Sequence, residues 1–576
     1  MDDEQPQNVK PLLLAIALIQ GLSLLVLETL VENNVWPHES PSWLYSLYAM
    51  VVIGPLMLLL SLDRGVRWQK VAAWILPFTL LCGLVSFYTG SQVHVYYSVW
   101  DDDLLAPLIL TLTIAVFKGL MYCQQRFYNT PFQYSFLFLI SWRNALTLGL
   151  ALFFTLAVWG ILMLWGGLFR AIGIRFFQDI FLESWFYYPV LALANGLGII
   201  IFNDLAKVIE TITRLLQALM KFLLVFLVLV SLLFLGGLLF TGLTPLWDTG
   251  FGSNLILWMQ GLLLFFLNAV YQDKPEMRPY PLILHRFIYI GIAALPIYSA
   301  IVLYGLGLRL DQYGWTPLRC WAFVVWFFFA LFSLGYFYGI VAKRDNWIEQ
   351  LSWVNVRAGL VLLAVMITVN SPLLDFRKIT VHSQLARLEN GTTTVDNFGV
   401  DFFRNQLGQP GYDALEELRL AYADSNPRFA EKIEQRLDVY RPLQTTEFNV
   451  NNLLDNLINV DEQPLPGNFV DALDRYVSDH HWRYTRTSKV YVLKVDLDEN
   501  SVADYLLIGD ANPTVHITLF YWEKSKWQTK EMGSKQVFLD DKLTLLDSLK
   551  PGGWQLSNNR WKQFELGGKK FSTYEH

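Results

Sequence analysis

The sequence predicts a membrane all-α bundle of about eleven transmembrane helices, followed by a C-terminal soluble α+β domain. Apolar stretches fill residues 1–370, and each is close to the length of about 20 residues that a helix needs to cross a ~30 Å hydrocarbon core. Residues 371–576 are densely charged and contain no cysteine, so this part is expected to fold around its own core without disulfides. The predicted domains are therefore 1–370, polytopic and transmembrane, and 371–576, soluble.

Composition supports the membrane assignment. The chain is 54% hydrophobic and only 16% charged, against about 25% charged residues in typical soluble domains.

Residues 203–221 are amphipathic and predict a surface helix that leads into the seventh span. Hydropathy places the spans near residues 11–31, 43–62, 70–88, 103–122, 146–168, 184–202, 221–241, 254–271, 283–307, 317–341 and 350–370.

Lysine and arginine residues in the short loops predict the orientation, because cytoplasmic loops carry an excess of positive charge. Loops on the N-terminal side hold sixteen such residues, and the opposite loops hold four. The N-terminus is therefore expected in the cytoplasm. An odd number of spans then places the C-terminal domain outside the cytoplasm, and this inference depends on the span count.

The soluble domain has helical patterns first and strand patterns after them. Gly391 and Gly408 stand where the C-terminal caps of helices are expected. We predict helices near 382–388, 399–406, 413–423, 428–440 and 468–480, and strands near 489–495, 504–508, 515–522, 528–532 and 561–566.

An acidic loop between the first two predicted strands has the spacing of a calcium site. Asp496, Asp498, Asn500 and Asp504 occupy loop positions one, three, five and nine, and oxygen ligands at these positions suit Ca²⁺. The spacing resembles the Asp-x-Asp-x-Asp-Gly-x-x-Asp loops of calcium-binding β-repeats, although Asn500 replaces a carboxylate and Ser501 replaces the glycine. These four residues are the candidate metal ligands, and the alternative is an acidic turn that binds no ion.

The sequence contains no catalytic or nucleotide-binding signature, so catalytic residues are unassigned and no nucleotide or redox cofactor is indicated. The net charge of −6 does not suggest a nucleic-acid partner. Glu32, Glu39 and Asp101–Asp103 lie near predicted outer loops, where a carboxylate could serve a transferase as a base or metal ligand. The alternative for the aspartates is a helix N-terminus, which favours negative charge.

Three stretches resemble a known family. They read LRLDQYGWTPLRCWAF from Leu308, NSPLLDFRKITVHSQLARLENG from Asn370 and DFFRNQLGQPGYDALEEL from Asp401. Together they resemble the uncharacterised bacterial membrane-protein family catalogued as domain of unknown function 4153. The resemblance implies a many-span bacterial envelope protein and no activity. With the charge bias, it places the protein in the bacterial inner membrane with a periplasmic C-terminal domain.

The first of these stretches also predicts a local structure. Thr316 and Pro317 form a helix start, because a hydroxyl caps free N–H groups and proline suits the first helical position. Gly314 permits the turn before this helix.

Three functions stay open from the sequence. The leading hypothesis is a protein that handles or positions a cell-envelope component, a lipid-linked one among the candidates, with its outer domain. The second is a membrane-embedded glycosyl- or other group transferase that acts at the outer face, and the third is a non-catalytic scaffold or sensor. The expected partners are the lipid bilayer and a lipid or other envelope component as ligand. Whether the chain is an enzyme is left open by these hypotheses.

Overall fold

The chain forms two compact units, residues 1–414 and 415–576, each described here by itself. The predicted boundary at residue 370 separates a transmembrane part from a soluble part, and it stays a prediction. The computed structural model describes residues 9–33, 35–62, 67–93, 102–127, 132–271, 279–438, 457–461, 464–479, 490–497, 502–511, 514–523, 526–536, 549, 554–557, 563–566 and 569–571.

Eleven helical segments of the described residues are long and apolar enough to cross a membrane, which confirms the predicted number. They are α1–α5, α7, α8, α10, α11 together with α12, α13 and α14. The helices are α1 Lys10–Glu32, α2 Pro41–Ser61, α3 Trp68–Gly90, α4 Asp102–Phe127, α5 Tyr134–Ala171, α6 Phe176–Leu182, α7 Ser184–Asp204, α8 Ala206–Thr241, α9 Thr244–Asp248, α10 Gly252–Val270, α11 Leu282–Ala293, α12 Leu295–Tyr313, α13 Pro317–Lys343, α14 Ile348–Thr368, α15 Phe376–Glu389, α16 Val400–Gln406, α17 Gly408–Tyr422, α18 Pro427–Asp438 and α19 Gly467–Asp479.

Buried side chains form two main cores in the bundle. One lies mainly among α1–α4 and α7, the other lies mainly among α8 and α10–α14, and α5 contributes side chains to both. Small residues allow close helix packing in the first core, because a Cβ built on Gly196 of α7 would lie 2.4 Å from the Cβ of Ala17 on α1. The second core is filled by large side chains such as Tyr298 and Trp347, both fully buried.

Helix α8 is much longer than one membrane crossing. Its 36 residues extend about 54 Å at 1.5 Å per residue, against ~30 Å of hydrocarbon. The amphipathic stretch predicted as a surface helix is the first part of this continuous helix, since α8 begins at Ala206. The apolar period continues without a helix-breaking residue, so the chain has no signal to end one helix and start another.

The segment after the last span folds into α15, α16 and α17. Helix α15 begins at Phe376, six residues before the predicted start at His382. Gly391 and Gly408 adopt positive φ angles of 70° and 57°, the conformation expected after a helix C-terminus.

The second unit contains a five-stranded sheet in the order β1-β2-β3-β4-β5. Strand β1 pairs with β2 in parallel, and the other neighbours pair antiparallel. Buried residues alternate between the two faces, and α19 packs Phe469, Leu473 and Tyr476 against one of them. The strands are β1 Leu457–Asn459, β2 Val490–Val495, β3 Asp504–Ala511, β4 Thr514–Glu523, β5 Lys526–Gln536, β6 Trp554–Ser557, β7 Gln563–Leu566 and β8 Lys569–Phe571.

Candidate functional site

The turn between α12 and α13 is held by side chains of α15. Arg387 donates from Nη1 to the carbonyl oxygen of Asp311 at 3.0 Å and from Nη2 to that of Gln312 at 2.6 Å. These carbonyls belong to the last turn of α12, where intrahelical donors run out. Arg387 therefore caps the C-terminus of a membrane helix from a different helix.

Two neighbours of Arg387 bind the same turn. Gln384 donates from Nε2 to the carbonyl oxygens of Tyr313 and Trp315, both at 2.9 Å. The backbone N–H of Trp315 donates to the Ser383 hydroxyl at 3.0 Å. Ser383, Gln384 and Arg387 share one face of α15, and we call these three residues the clamp.

The turn itself has the local chemistry that the sequence predicts. Thr316 is the N-cap of α13, and its hydroxyl accepts from the Arg319 N–H at 3.4 Å. Gly314 has a φ angle of 70°, and a Cβ built there would lie 2.6 Å from Cδ of Arg387. Only glycine therefore suits both the backbone conformation and the close approach of the clamp.

The start of α15 is fixed by Asp375, which is 4% exposed. Its Oδ1 accepts from the Arg377 N–H and from Arg377 Nε, both at 3.0 Å. Its Oδ2 accepts from the Tyr88 hydroxyl of α3 at 2.8 Å and from Arg377 Nη2 at 3.3 Å. Asp375 is thus the N-cap of α15, an ion-pair partner and a link to the bundle.

The surroundings of Asp375 favour its ionised form. Burial raises the pKa of this carboxyl, but the Arg377 charge and the hydrogen bonds from Arg377 and Tyr88 outweigh it, so the pKa lies below its ordinary value. Both carboxylate oxygens are occupied by donors. Asp375 is therefore suited to anchoring the helix rather than to proton transfer.

Two further contacts attach the same segment to the bundle. The Asn370 side-chain amide donates to the Thr111 hydroxyl of α4. The Gln409 N–H donates to the carbonyl oxygen of Gln92 at 2.9 Å. Residues 370–409 therefore contact the C-terminal ends of α3 and α12 and the first half of α4, and we call this end of the bundle the tail end.

A family model described as a domain of unknown function (DUF4153) matches residues 14–418. The chain belongs to this family. The match includes the first span from residue 14 onward, the ten later spans and all clamp residues, and it stops at the beginning of the second unit. No curated protein and no solved structure matches the chain.

Buried and half-buried amides connect the spans of this DUF4153 protein. Gln260 of α10 donates to the hydroxyls of Ser299 and Ser333 at 2.6 and 2.9 Å. Asn268 of α10 accepts from the Asn355 amide of α14 at 2.6 Å. Hydrogen bonds of this kind hold membrane helices in one register, so the two amides are assigned a structural role.

The sequence-predicted outer carboxylates do not form a metal cluster within the described residues, where no group of three or more His, Cys, Asp or Glu side chains converges. Glu32, Glu39 and Asp103 are exposed. Helix α4 begins at Asp102, which matches the interpretation of these aspartates as a helix N-terminus. Asp101 lies outside the described residues.

The predicted calcium loop is described only in part. Asp498 and Asn500 lie outside the described residues, so the Ca²⁺ site stays a prediction. Asp504 is 1% exposed, and its Oδ2 accepts from the Leu497 N–H at 3.1 Å. Asp504 therefore closes the connection between β2 and β3, a structural role that the ligand spacing alone did not reveal.

Asp375 and the clamp were missed from the sequence as functional candidates. The signal for Asp375 was available, because an aspartate directly before an apolar helical pattern is a typical N-cap. No local pattern marks the clamp, since Arg387 and Gln312 are 75 positions apart.

Proposed function

We propose that this DUF4153 protein is a membrane platform that presents its C-terminal α+β part outside the cytoplasm, where that part handles or positions a cell-envelope component. The observation that supports the proposal is the attachment of residues 370–409 to the tail end of the bundle. A domain that needed only an anchor could follow its last span through a flexible linker. Here the segment has its own helices, caps and buried ion pair instead.

The side of the membrane is supported by the charge bias of sixteen basic residues against four. It is tested by fusing alkaline phosphatase or a cytoplasm-only fluorescent protein after His576. We expect phosphatase activity without fluorescence. A matched fusion after Lys343, one span earlier, should give the opposite result, and a fluorescent His576 fusion would overturn the orientation.

The function is tested in a bacterium that carries the gene. We expect deletion of the gene to weaken the envelope, measured as survival in detergent and after osmotic downshift. A chain that ends at Ala414 should behave like the deletion although it inserts normally. Residues 415–576 exported alone should not restore survival, because they lack the platform.

The same assay separates the proposal from its rivals. Full survival with residues 1–414 alone would overturn a role for the C-terminal part. The variants Glu39→Gln and Asp103→Asn should survive like the unmodified protein, because these exposed carboxylates have no role on a platform. Loss of survival with these two variants, at normal protein amounts, would favour the transferase.

A further inference from the structure

A groove of about 540 Å³ lies between α8 and α11, at the end of the bundle opposite the tail end. Its volume falls within the range of roughly 300–1,000 Å³ that is common for small-molecule sites. Phe222, Phe226 and Leu229 of α8 form one wall, and Leu284 and Phe287 of α11 form the other. Lys221 lies at one end of this apolar lining.

The length of α8 places Lys221 at a membrane boundary. About 20 residues separate Lys221 from the helix end at Thr241, which corresponds to about 30 Å, one hydrocarbon thickness. From Lys221 to Leu229 the groove follows α8 for about 12 Å toward the bilayer centre. Its charged end is therefore at headgroup depth, and its apolar part is at acyl-chain depth.

The mouth of the groove is fixed in place. The Tyr280 hydroxyl donates to the carbonyl oxygen of Lys221 at 2.7 Å, which ties the chain before α11 to α8. The groove therefore keeps its entrance while its walls face the lipid.

Lys221 differs from three other cations at this end of the bundle. Arg214 binds Glu210 at 2.5 Å, Arg286 binds Asp345 at 3.0 Å and Lys343 binds Glu349 at 2.9 Å. Among the described residues, no carboxylate lies within ion-pair distance of the Lys221 ammonium. A positive charge at headgroup depth beside an apolar groove complements a lipid with an anionic headgroup.

We propose that the groove binds one acyl chain of an anionic glycerophospholipid, whose phosphate contacts Lys221. A peptide is a poor occupant, because its backbone groups would need hydrogen-bond partners that apolar walls do not supply. An acyl chain needs none. This site is separate from the clamp and does not rest on the function proposed above.

The test is native mass spectrometry of the full chain in detergent, titrated with phosphatidylglycerol or phosphatidylcholine of identical acyl chains. We expect the first phosphatidylglycerol to bind roughly fivefold more tightly than phosphatidylcholine, the typical effect of one basic residue near a lipid headgroup. Lys221→Gln should remove this preference, and Lys221→Arg should keep it. Leu229→Trp should fill the groove and weaken the binding of both lipids.

Two control variants of α8 make the result specific. Arg214→Gln removes a cation that already has a partner, and Leu239→Trp enlarges an 83% exposed side chain outside the groove. Both should bind lipid like the unmodified protein. Equal binding of the two lipids, unchanged binding by Lys221→Gln or unchanged binding by Leu229→Trp would overturn the proposal. Displacement of phosphatidylglycerol by an equal concentration of an isoprenoid phosphate would overturn the assignment to a glycerophospholipid.

Discussion

Tyr88 and Asp375 lie 287 positions apart in the sequence, and the Tyr88 hydroxyl donates a hydrogen bond of 2.8 Å to the Asp375 carboxylate. The next residue, Phe376, packs its ring edge-on against Trp321 of α13, with centroids 5.2 Å apart. The start of α15 therefore contacts an early span and a late span at once. A change at Asp375 should consequently loosen the whole segment that follows the last span.

We predict that Asp375→Asn speeds hydrogen exchange throughout α15 at neutral pH. The variant loses a buried charge-assisted contact, a change that costs about 1–3 kcal/mol of local stability. Hydrogen exchange of the full chain in detergent, read by mass spectrometry, measures the change. Asp401→Asn in α16, an exposed aspartate, is the control and should leave α15 unchanged.

The effect of Asp375 should depend on pH with a defined sign. Its pKa in the folded protein lies below the ordinary value of 3.8, so its stabilisation is complete above that pH and is lost as pH falls further through the folded pKa. The exchange difference between the unmodified protein and Asp375→Asn should thus stay constant from about pH 7 to about pH 5 and shrink below 3.8. A difference that already shrinks between pH 7 and 5 would contradict the depressed pKa.

Removing Arg387 from the clamp should destabilise the turn that it caps. In Arg387→Ala, the carbonyls of Asp311 and Gln312 lose their donor, so we expect exchange in residues 311–319 to rise roughly fivefold, equivalent to about 1 kcal/mol. Arg428→Ala, at an exposed position of α18, is the matched control. Unchanged exchange in the turn of Arg387→Ala would show that the Arg387 cap contributes nothing to its stability.

Gly314 and Gly391 form a matched pair of substitution sites. Both have a φ angle of 70°, but only Gly314 has the clamp against it, whereas nothing lies within 4 Å of a Cβ on Gly391. Alanine at either position should cost roughly 1–2 kcal/mol for the left-handed backbone. Gly314→Ala should lose more stability than Gly391→Ala, because Arg387 must also move. Equal losses of thermal stability in the two variants would refute a steric contribution from Arg387.

The spans could be predicted from the sequence and the tertiary contacts could not, for a physical reason. Hydropathy predicts the eleven spans because the bilayer imposes a length and a composition on every crossing helix. Strand β1 was missed, since Leu457–Asn459 is too short to show a period. Strands β4 and β5 were predicted, near 515–522 and 528–532, because each is long enough to show a local pattern. Contacts such as Arg387 with Gln312 depend on tertiary packing, which no local pattern encodes.

The last prediction concerns the acidic loop between β2 and β3. If Asp496, Asp498, Asn500 and Asp504 bind Ca²⁺, the ion should slow hydrogen exchange in both strands by mass action. At a free Ca²⁺ concentration of 100 times the dissociation constant, the free energy of unfolding rises by about 2.7 kcal/mol. The incomplete ligand set indicates an affinity in the roughly 10⁻⁴–10⁻³ M range of extracellular modules. Exchange of the full chain is therefore measured with millimolar Ca²⁺ and with chelator.

The structure decides which variant tests this site cleanly. Asp504→Ala removes the acceptor of the Leu497 N–H, so it should destabilise the strands with or without Ca²⁺. Asp496→Asn is the better test, because it removes the charge of a predicted ligand and leaves the Asp504 acceptor of the Leu497 N–H in place. Asp471→Asn, at an exposed position of α19, should keep the full calcium effect. Equal exchange with Ca²⁺ and chelator in the unmodified protein would leave an acidic turn closed by Asp504, without an ion.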